Sequence, residues 1–220
     1  MNRGFVVAIV GAESTGKTTL AVALAAALDR PGRSAVHMPE YLREFCDRHQ
    51  RTPRRDEQAG IAAEQTRRIE AAAATHAVVI ADTSALLTAV YSEWVFGDIS
   101  LYAAAAREQR HCGLSLLTAL DLAWAPDGLQ RDGPQVREPI DAMLRNALRS
   151  RGIAYGVVIG SGEARTTLAL RAIEHALAAS ADGAPSADRT WQHVCARCGD
   201  PACERRLLAG RQLDPTTLSS

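Results

Sequence analysis

Residues 11–19, with the sequence GAESTGKTT, constrain the fold of this 220-residue chain more than any other segment. Their first eight residues match the phosphate-binding pattern G-x-x-x-x-G-K-[ST] completely. The apolar, β-branched run FVVAIV precedes the loop and an Ala/Leu-rich run follows it, so the loop joins a buried strand to a helix. This context distinguishes a P-loop from a chance glycine turn, and it predicts a parallel α/β fold.

The residue types of the loop suit the binding of a nucleoside triphosphate. Glycine lets the backbone aim successive N–H groups inward, and the following helix directs its positive end at the phosphates. We expect the Lys17 ammonium to contact the β- and γ-phosphates and the Thr18 hydroxyl to coordinate Mg²⁺. The predicted cofactors are therefore ATP and Mg²⁺. The other predicted members of the ATP site are Gly11, Glu13, Ser14, Thr15, Gly16 and Thr19.

Four further apolar runs predict the rest of the sheet. They lie at 34–38, at 77–82, within 113–124 and within 153–162, and helical stretches separate them. The alternation predicts an α/β fold of the P-loop NTPase and nucleoside-kinase type, with a parallel five-stranded sheet and helices on both faces, over residues 1–179. Small polar residues at 180–189 predict a linker, and residues 190–220 form a separate cysteine-containing tail.

Composition argues against several classes of protein. Lys+Arg and Asp+Glu number 25 each, so no net charge directs the chain to nucleic acid. No apolar run approaches the ~20 residues that span a bilayer, and the N-terminus lacks a signal-peptide cleavage site. We therefore expect a cytoplasmic protein without a membrane partner. Five cysteines in that compartment predict free thiols or metal ligands rather than disulfides.

Charged residues follow the second and third predicted strands. Ligands of open parallel sheets bind beyond the carboxyl ends of the strands, and Asp82 ends the third strand. Its carboxylate is expected to hold Mg²⁺ through water or to accept a proton from an attacking hydroxyl; capping of the next helix is the alternative. Glu40 and Glu44 would repel on a helix unless Arg43 or a ligand lies between them. An ordinary solvated helix start is the other interpretation of this segment.

The segment 124–137 predicts a loop that covers the site. It is rich in Gly, Pro and charge, and it contains Trp124, Asp127, Arg131 and Arg137. Such a loop excludes water and brings positive charge to the transferring phosphoryl group. The alternative is a polar surface loop.

The tail carries four potential metal ligands within eleven residues: His193, Cys195, Cys198 and Cys203. A Cys₃His site would let a tail too small for its own core fold around Zn²⁺, while free thiols or a redox pair remain the alternative. Nearby arginines give local positive charge, but acidic residues dilute it. A structural appendage, or a contact with a second copy or a protein partner, is therefore favoured over nucleic-acid binding.

Several segments together resemble a known family. GAESTGKTTLA, EYLREF, a strand ending in ADT and LAWAPDGLQRDG look like the ribosylnicotinamide kinase domain of the bifunctional NAD-biosynthesis regulators and the related AAA-type ATP-binding proteins. The resemblance covers residues 5–178. It implies ATP- and Mg²⁺-dependent phosphorylation of the 5′-hydroxyl of nicotinamide riboside.

The resemblance also implies roles for particular residues. Residues 11–18 would hold ATP; Glu40, Tyr41 and Arg43 would line the nucleoside side, with Trp124 and Asp127 at the entry of the covering loop. Asp82 would be the catalytic carboxylate or metal partner, with Glu40 the alternative group that takes the proton of the acceptor hydroxyl. Arg131 and Arg137 would belong to the covering loop and stabilise charge on the transferring phosphoryl group. The chain departs from the family at Pro39, where an aromatic residue is usual, and in GLQR, where GLR is usual.

The leading functional hypothesis is a kinase that phosphorylates a small nucleoside-type acceptor. The alternatives are a P-loop ATPase or regulatory protein that acts on a partner through the tail, and a nucleotide sensor without turnover.

Overall fold

A computed structural model describes residues 3–125 and 133–181 of the chain. The strands are β1 (Phe5–Val10), β2 (Ala35–Met38), β3 (Val78–Asp82), β4 (Leu114–Thr118) and β5 (Gly156–Val158). The helices are α1 (Lys17–Leu28), α2 (Tyr41–His49), α3 (Gln58–Ala73), α4 (Ala85–Phe96), α5 (Tyr102–Arg110), α6 (Arg137–Ser150) and α7 (Gly162–Ala181). Short 3₁₀ turns precede α3 and α6, at Arg55–Glu57 and Pro134–Val136. In the described ranges, no helix has the length and apolar character needed to cross a membrane.

The five strands form one parallel sheet in the order β2-β3-β1-β4-β5. The prediction of a parallel five-stranded sheet is therefore confirmed. The P-loop strand β1 lies at the centre with β3 beside it, and Ile9 pairs with Asp82. All five carboxyl ends meet at one edge, so the P-loop, Asp82 and the segments after β2, β4 and β5 converge there.

Alternation along the central strand distributes the core over both faces of the sheet. Val7 and Ile9 pack with α1 and α7 on one face. On the other face Val6 packs with α3, while Val10 belongs to a cluster with α4, α5 and α6. Successive side chains of a strand point to opposite faces, so a continuous apolar run is the sequence of a strand that is buried on both sides. The predicted helices on both faces are present.

Local chain chemistry decides where several helices begin and end. The sequence predicts helix over 83–111 with an interruption at the Gly97-Asp98 turn, and α4 ends there because Gly97 adopts a left-handed conformation (φ +64°). The charged segment after β2 is helical, since α2 begins directly after Glu40. The last helix extends to Ala181, two residues into the predicted linker.

Some predictions fall outside the described residues. These are Asp127 and Arg131 of the covering loop, the rest of the linker, and the whole tail with His193, Cys195, Cys198 and Cys203. The Zn²⁺ site and the division into domain, linker and tail therefore stay predictions. Within the described ranges no cluster of three or more His, Cys, Asp or Glu side chains could hold a metal ion.

Candidate nucleotide and acceptor site

The P-loop backbone lies close against β4. A Cβ atom on Gly11 would stand 2.0 Å from Thr118 Oγ1, so no larger residue fits at this position without displacing the Thr118 side chain. Gly16 precedes α1 in a left-handed conformation (φ +71°), which glycine adopts without steric cost. The two glycines of the motif are therefore required by close approach and by backbone conformation, respectively.

Hydrogen bonds fix the loop to neighbouring segments. The Thr15 hydroxyl donates to the Ala12 carbonyl oxygen (2.8 Å) and shares a hydrogen bond of 2.7 Å with the Thr118 hydroxyl. Ser14 Oγ accepts a hydrogen bond from the Ala125 N–H (2.8 Å), and Ser14 itself has a positive φ of 54°. The conformation of the loop is thus held from β4 and from the segment that follows it.

Two side chains of the loop fit the predicted Mg²⁺ and ATP. Lys17 Nζ donates to the Ala12 carbonyl oxygen (2.9 Å), which folds the ammonium back over the loop. The hydroxyl-bearing residues Thr18 and Thr19 are exposed in the first turn of α1. ATP and Mg²⁺ require a loop whose backbone the phosphates can approach closely and a threonine hydroxyl that the metal can reach. The glycine positions of the P-loop and the exposed Thr18 meet these two requirements.

Asp82 lies at the carboxyl end of β3 and is only 1% exposed. Its Oδ1 atom has no hydrogen-bond partner among the described residues, and the nearest imidazole nitrogen to Oδ2 is His37 Nε2, at 4.0 Å. His37 Nε2 is likewise buried without a partner there. Buried polar atoms without partners are uncommon, and they are expected where a ligand or an ordered water binds. Sequence reasoning missed His37, because a histidine inside a short strand gives no motif.

Thr83, directly after Asp82, is held in an unfavourable backbone conformation. Its φ is +85°, which β-branched residues rarely adopt, and its buried hydroxyl has no partner in the described part of the chain. A strain on the order of 1–3 kcal/mol is typical of such positions and clusters at functional sites. The next residue, Ser84, is held by a buried chain of hydrogen bonds. Ser84 Oγ donates to Gln109 Oε1 (2.6 Å), and Gln109 Nε2 donates to Ser115 Oγ (2.8 Å).

Glu40 stands just before the first residue of α2, and its side chain is 13% exposed. Burial raises the pKa of this carboxyl, and the negative charge of Asp82 acts in the same direction. The positive charges of Lys17 and Arg43 oppose that shift, and Arg43 Nε lies 3.3 Å from Glu40 Oε2. The fold has therefore brought residues 17, 40, 43 and 82 into one electrostatic environment.

A cavity of about 260 Å³ extends from the P-loop across α2, α3 and α4. Five of its lining residues were predicted from the sequence: Glu13, Ser14, Lys17, Glu40 and Arg43. The others were not: Leu42, Cys46, Thr52, Pro53, Gln58, Leu87, Thr88, Tyr91, Val95 and Phe96. Among them Val95 is 54% exposed at the end of a helix that is otherwise largely buried, a feature that only the structure reveals.

Other predicted site residues lie elsewhere. Tyr41 does not line the cavity; its ring stacks on the Arg68 guanidinium, with Cζ 4.4 Å from the ring centroid. Arg137 begins α6 and is largely buried, with Nη2 donating to the Leu122 carbonyl oxygen (2.8 Å). Trp124 is partly buried, and Pro39 is exposed outside the cavity lining.

Comparison with known proteins relates the chain to a family and to solved structures. The family model described as "AAA domain" matches residues 6–165. No curated protein matches the chain. The crystal structure of NadR protein in complex with NR is 21% identical, with a TM-score of 0.61, and the match covers 78% of this chain and 50% of that chain.

A second crystal structure, of NadR protein in complex with NAD and AMP-PNP, is also 21% identical, with a TM-score of 0.60 over 78% of this chain and 49% of that chain. The chain thus spans about half the length of these two structures. At this level of identity the likeness establishes the fold, and it confirms the predicted kinase-like P-loop architecture.

Proposed function

The chain belongs to the AAA domain family, and from that premise we propose that it is an ATP-dependent kinase for a small nucleoside-type acceptor. The observation that carries the proposal is the cavity of about 260 Å³, which reaches from Lys17 of the P-loop to Glu40 and Arg43. A concave site of this size suits one small molecule placed next to the phosphates. An ATPase that acts on a partner protein has no need of such a cavity.

Nicotinamide riboside is the proposed acceptor. The sequence resemblance implies it, and one of the matched NadR structures is in complex with NR. The wall of the cavity formed by Leu87, Tyr91 and Phe96 is apolar and partly aromatic, which suits a planar ring. Because Pro39 lies outside the cavity lining, the ring contact is assigned to α4.

The proposed reaction is an in-line phosphoryl transfer. The acceptor hydroxyl oxygen forms a bond to the γ-phosphorus, the bond from that phosphorus to the bridging oxygen breaks, and ADP leaves. The hydroxyl proton passes to the Glu40 carboxylate, whose raised pKa makes it a better base than an exposed glutamate. Lys17 stabilises negative charge on the phosphates, and Arg43 orients Glu40 from 3.3 Å.

Asp82 and Thr18 are assigned to Mg²⁺. The buried Asp82 Oδ1 without a partner supports this role, together with the exposed Thr18 at the start of α1. Mg²⁺, when bound, neutralises charge on the transferring phosphoryl group. The sequence leaves two roles open for Asp82, Mg²⁺ binding and acceptance of the hydroxyl proton. We assign the first role to Asp82 and the second to Glu40.

The decisive experiment measures ADP release with and without a panel of nucleosides that includes nicotinamide riboside. We expect an acceptor to raise ADP release at least tenfold and to yield a phosphorylated nucleoside by mass spectrometry. Lys17→Ala is expected to lose this activity together with the thermal stabilisation by ATP·Mg²⁺. ADP release that no nucleoside raises would overturn the kinase proposal and favour a partner-dependent ATPase.

Lys17 is the only lysine in the sequence, which gives an independent measure of nucleotide binding. An amine-directed acylating reagent can modify only the Lys17 ammonium and the chain's N-terminal amine. Protection of Lys17 by ATP·Mg²⁺, followed by peptide mass spectrometry, therefore reports occupancy of the P-loop without any turnover. Unchanged Lys17 labelling in saturating ATP·Mg²⁺ would contradict the assignment of the phosphate site.

A further inference from the structure

Arg165 is a buried cation on the first turns of α7, behind the P-loop. The residue is 4% exposed, and no carboxylate of the described residues lies within salt-bridge distance of it. Burial lowers the pKa of its guanidinium, and the charge of Asp121 partly opposes that shift. A buried charge without an ion-pair partner is costly, so its presence calls for a specific reason.

The guanidinium group connects two loops of the site. Its Nη2 donates to the Thr15 carbonyl oxygen in the P-loop (2.8 Å), and its Nη1 donates to the Gly160 carbonyl oxygen after β5 (3.3 Å). The Gly160 N–H in turn donates to Asp121 Oδ2 after β4 (2.5 Å). The ends of β1, β4 and β5 are thus linked through one arginine.

The hydrogen bond to Thr15 has a consequence for the next peptide group. In a trans peptide the carbonyl oxygen and the following N–H point in opposite directions. Since Arg165 holds the Thr15 carbonyl oxygen toward α7, the Gly16 N–H points away from α7, toward the side where a P-loop binds phosphate. The arginine therefore orients a backbone donor of the nucleotide site.

The positive charge of Arg165 also favours the binding of phosphate at the P-loop. Its Nη1 lies 3.6 Å from the position that a Cβ on Gly16 would occupy, so the positive charge lies against the loop. In a poorly solvated environment a fixed charge acts strongly on a nearby anion. The negative charge of a bound polyphosphate would offset the free-energy cost of burying the Arg165 cation without an ion-pair partner.

We propose that Arg165 is a positioning residue of the nucleotide site, which orients the P-loop backbone and favours the bound polyphosphate without touching the acceptor. It is not among the residues that line the acceptor cavity. The proposal concerns ATP binding, so it holds or fails independently of the acceptor and of the kinase assignment.

The test compares Arg165→Met with Arg165→Lys in the full chain, using ATP·Mg²⁺ as the probe. For Arg165→Met we expect a folded protein with a Tm close to wild type without nucleotide, because the loss of two hydrogen bonds to backbone carbonyl groups opposes the removal of an unpaired buried charge. Its Kd for ATP·Mg²⁺ should rise about tenfold or more, because a charge-assisted hydrogen bond to the loop is lost. Arg165→Lys keeps the charge but cannot bridge both carbonyl groups, so its Kd should lie between the two.

The matched control is Arg171→Met, on an exposed position of the same helix, which should leave both Tm and Kd unchanged. The readouts are calorimetric Kd and protection of Lys17 from acylation. A folded Arg165→Met with wild-type Kd and wild-type protection would overturn the proposal and leave Arg165 a purely structural link. Should Arg165→Met fail to fold, Arg165→Lys and Arg165→Gln decide by the same two measurements.

Discussion

At the scale of residues, Glu40 and Glu44 lie four positions apart, yet the fold gives their carboxyl groups opposite environments. Burial raises the pKa of Glu40, beside the negative charge of Asp82. The hydrogen bonds from Arg68 lower the pKa of Glu44, with Arg48 contributing in the same direction. The repulsion expected between the two is avoided because Arg43 contacts Glu40 while Arg68 binds Glu44.

This contrast predicts opposite effects of the same substitution on stability. The folded-state pKa of Glu40 lies above its ordinary value of 4.5, so ionisation of Glu40 opposes folding as pH rises through the folded-state pKa. Glu40→Gln should therefore raise Tm relative to wild type at pH 7, and this gain should vanish below about pH 4.5. Its kcat/KM with the acceptor should fall by about 10²-fold or more, because the proposed base is lost.

Glu44→Gln is the matched control on the same helix. Since its pKa is lowered in the folded protein, the contribution of Glu44 to stability is present near neutral pH and is lost as pH falls through its folded-state pKa. Glu44→Gln should thus lower Tm at pH 7, with kcat/KM close to wild type. A pH series of thermal melts measures both; an equal loss of Tm in the two variants at pH 7 would contradict the assigned environments.

At the scale of elements, α3 holds the first turn of α2 in place. Gln65 is fully buried, and its side-chain oxygen accepts a hydrogen bond from the Tyr41 N–H (2.7 Å). Its amide nitrogen donates to the Pro39 carbonyl oxygen (3.4 Å), so one side chain is hydrogen-bonded to the backbone on both sides of Glu40. The Arg68 guanidinium, one turn further along α3, stacks on the Tyr41 ring. The position of Glu40 is therefore set by a helix that begins 18 residues later in the sequence.

Gln65→Met should reveal this dependence of α2 on α3. The substitution keeps the volume but leaves the Tyr41 N–H and the Pro39 carbonyl without their partner, which costs about 1–3 kcal/mol of stability. We expect the acceptor KM to rise about tenfold while the Kd for ATP·Mg²⁺ stays at the wild-type value. Steady-state kinetics and calorimetry measure the two quantities separately.

Glu70→Gln, on an exposed position of α3, serves as the control and should change neither quantity. A Gln65→Met protein that is less stable but has a wild-type acceptor KM would show that Gln65 only stabilises the helix pair.

At the scale of the whole molecule, the carboxyl edge of the sheet separates two tasks. The P-loop and the loops after β4 and β5 form the proposed nucleotide side, where Arg165 and Thr118 are hydrogen-bonded to Thr15 of the P-loop. The segments after β2 and β3, with α3 and α4, form the cavity that is the proposed acceptor side. Lys17 and Glu13 lie where the two sides meet, because they belong to the loop and also line the cavity.

The predicted Zn²⁺ site belongs to the full chain, beyond the described residues. Metal analysis of the purified protein should find about one Zn²⁺ per chain if His193, Cys195, Cys198 and Cys203 form a tetrahedral site. Cys195→Ser should lose the metal, whereas Cys112→Ser should keep it, because the Cys112 thiol is a lone cysteine beside the Glu108 carbonyl. Wild-type protein without stoichiometric Zn²⁺ would leave the cysteines as free thiols.

The sequence by itself determined the P-loop, the five strands and the location of Asp82 at the end of β3. These features are local: the phosphate motif is a contiguous run of residues, and a buried parallel strand is a contiguous apolar run. Strand composition, together with the rule that ligands bind at the carboxyl edge of a parallel sheet, was enough to predict that Glu40 and Asp82 lie at the same edge.

Only the tertiary structure decided how the two sides of the site are built. The cavity joins residues of α2, α3 and α4 that are far apart in the sequence, and no spacing rule connects them. The hydrogen bonds of Arg165 to Thr15 and of Gln65 to Tyr41 span 150 and 24 positions in the chain. The positive φ of Thr83 depends on the packing around it, since the residue type alone disfavours that conformation. Long-range packing, which the sequence encodes only collectively, therefore set the pKa of Glu40 and the support of the nucleotide loop.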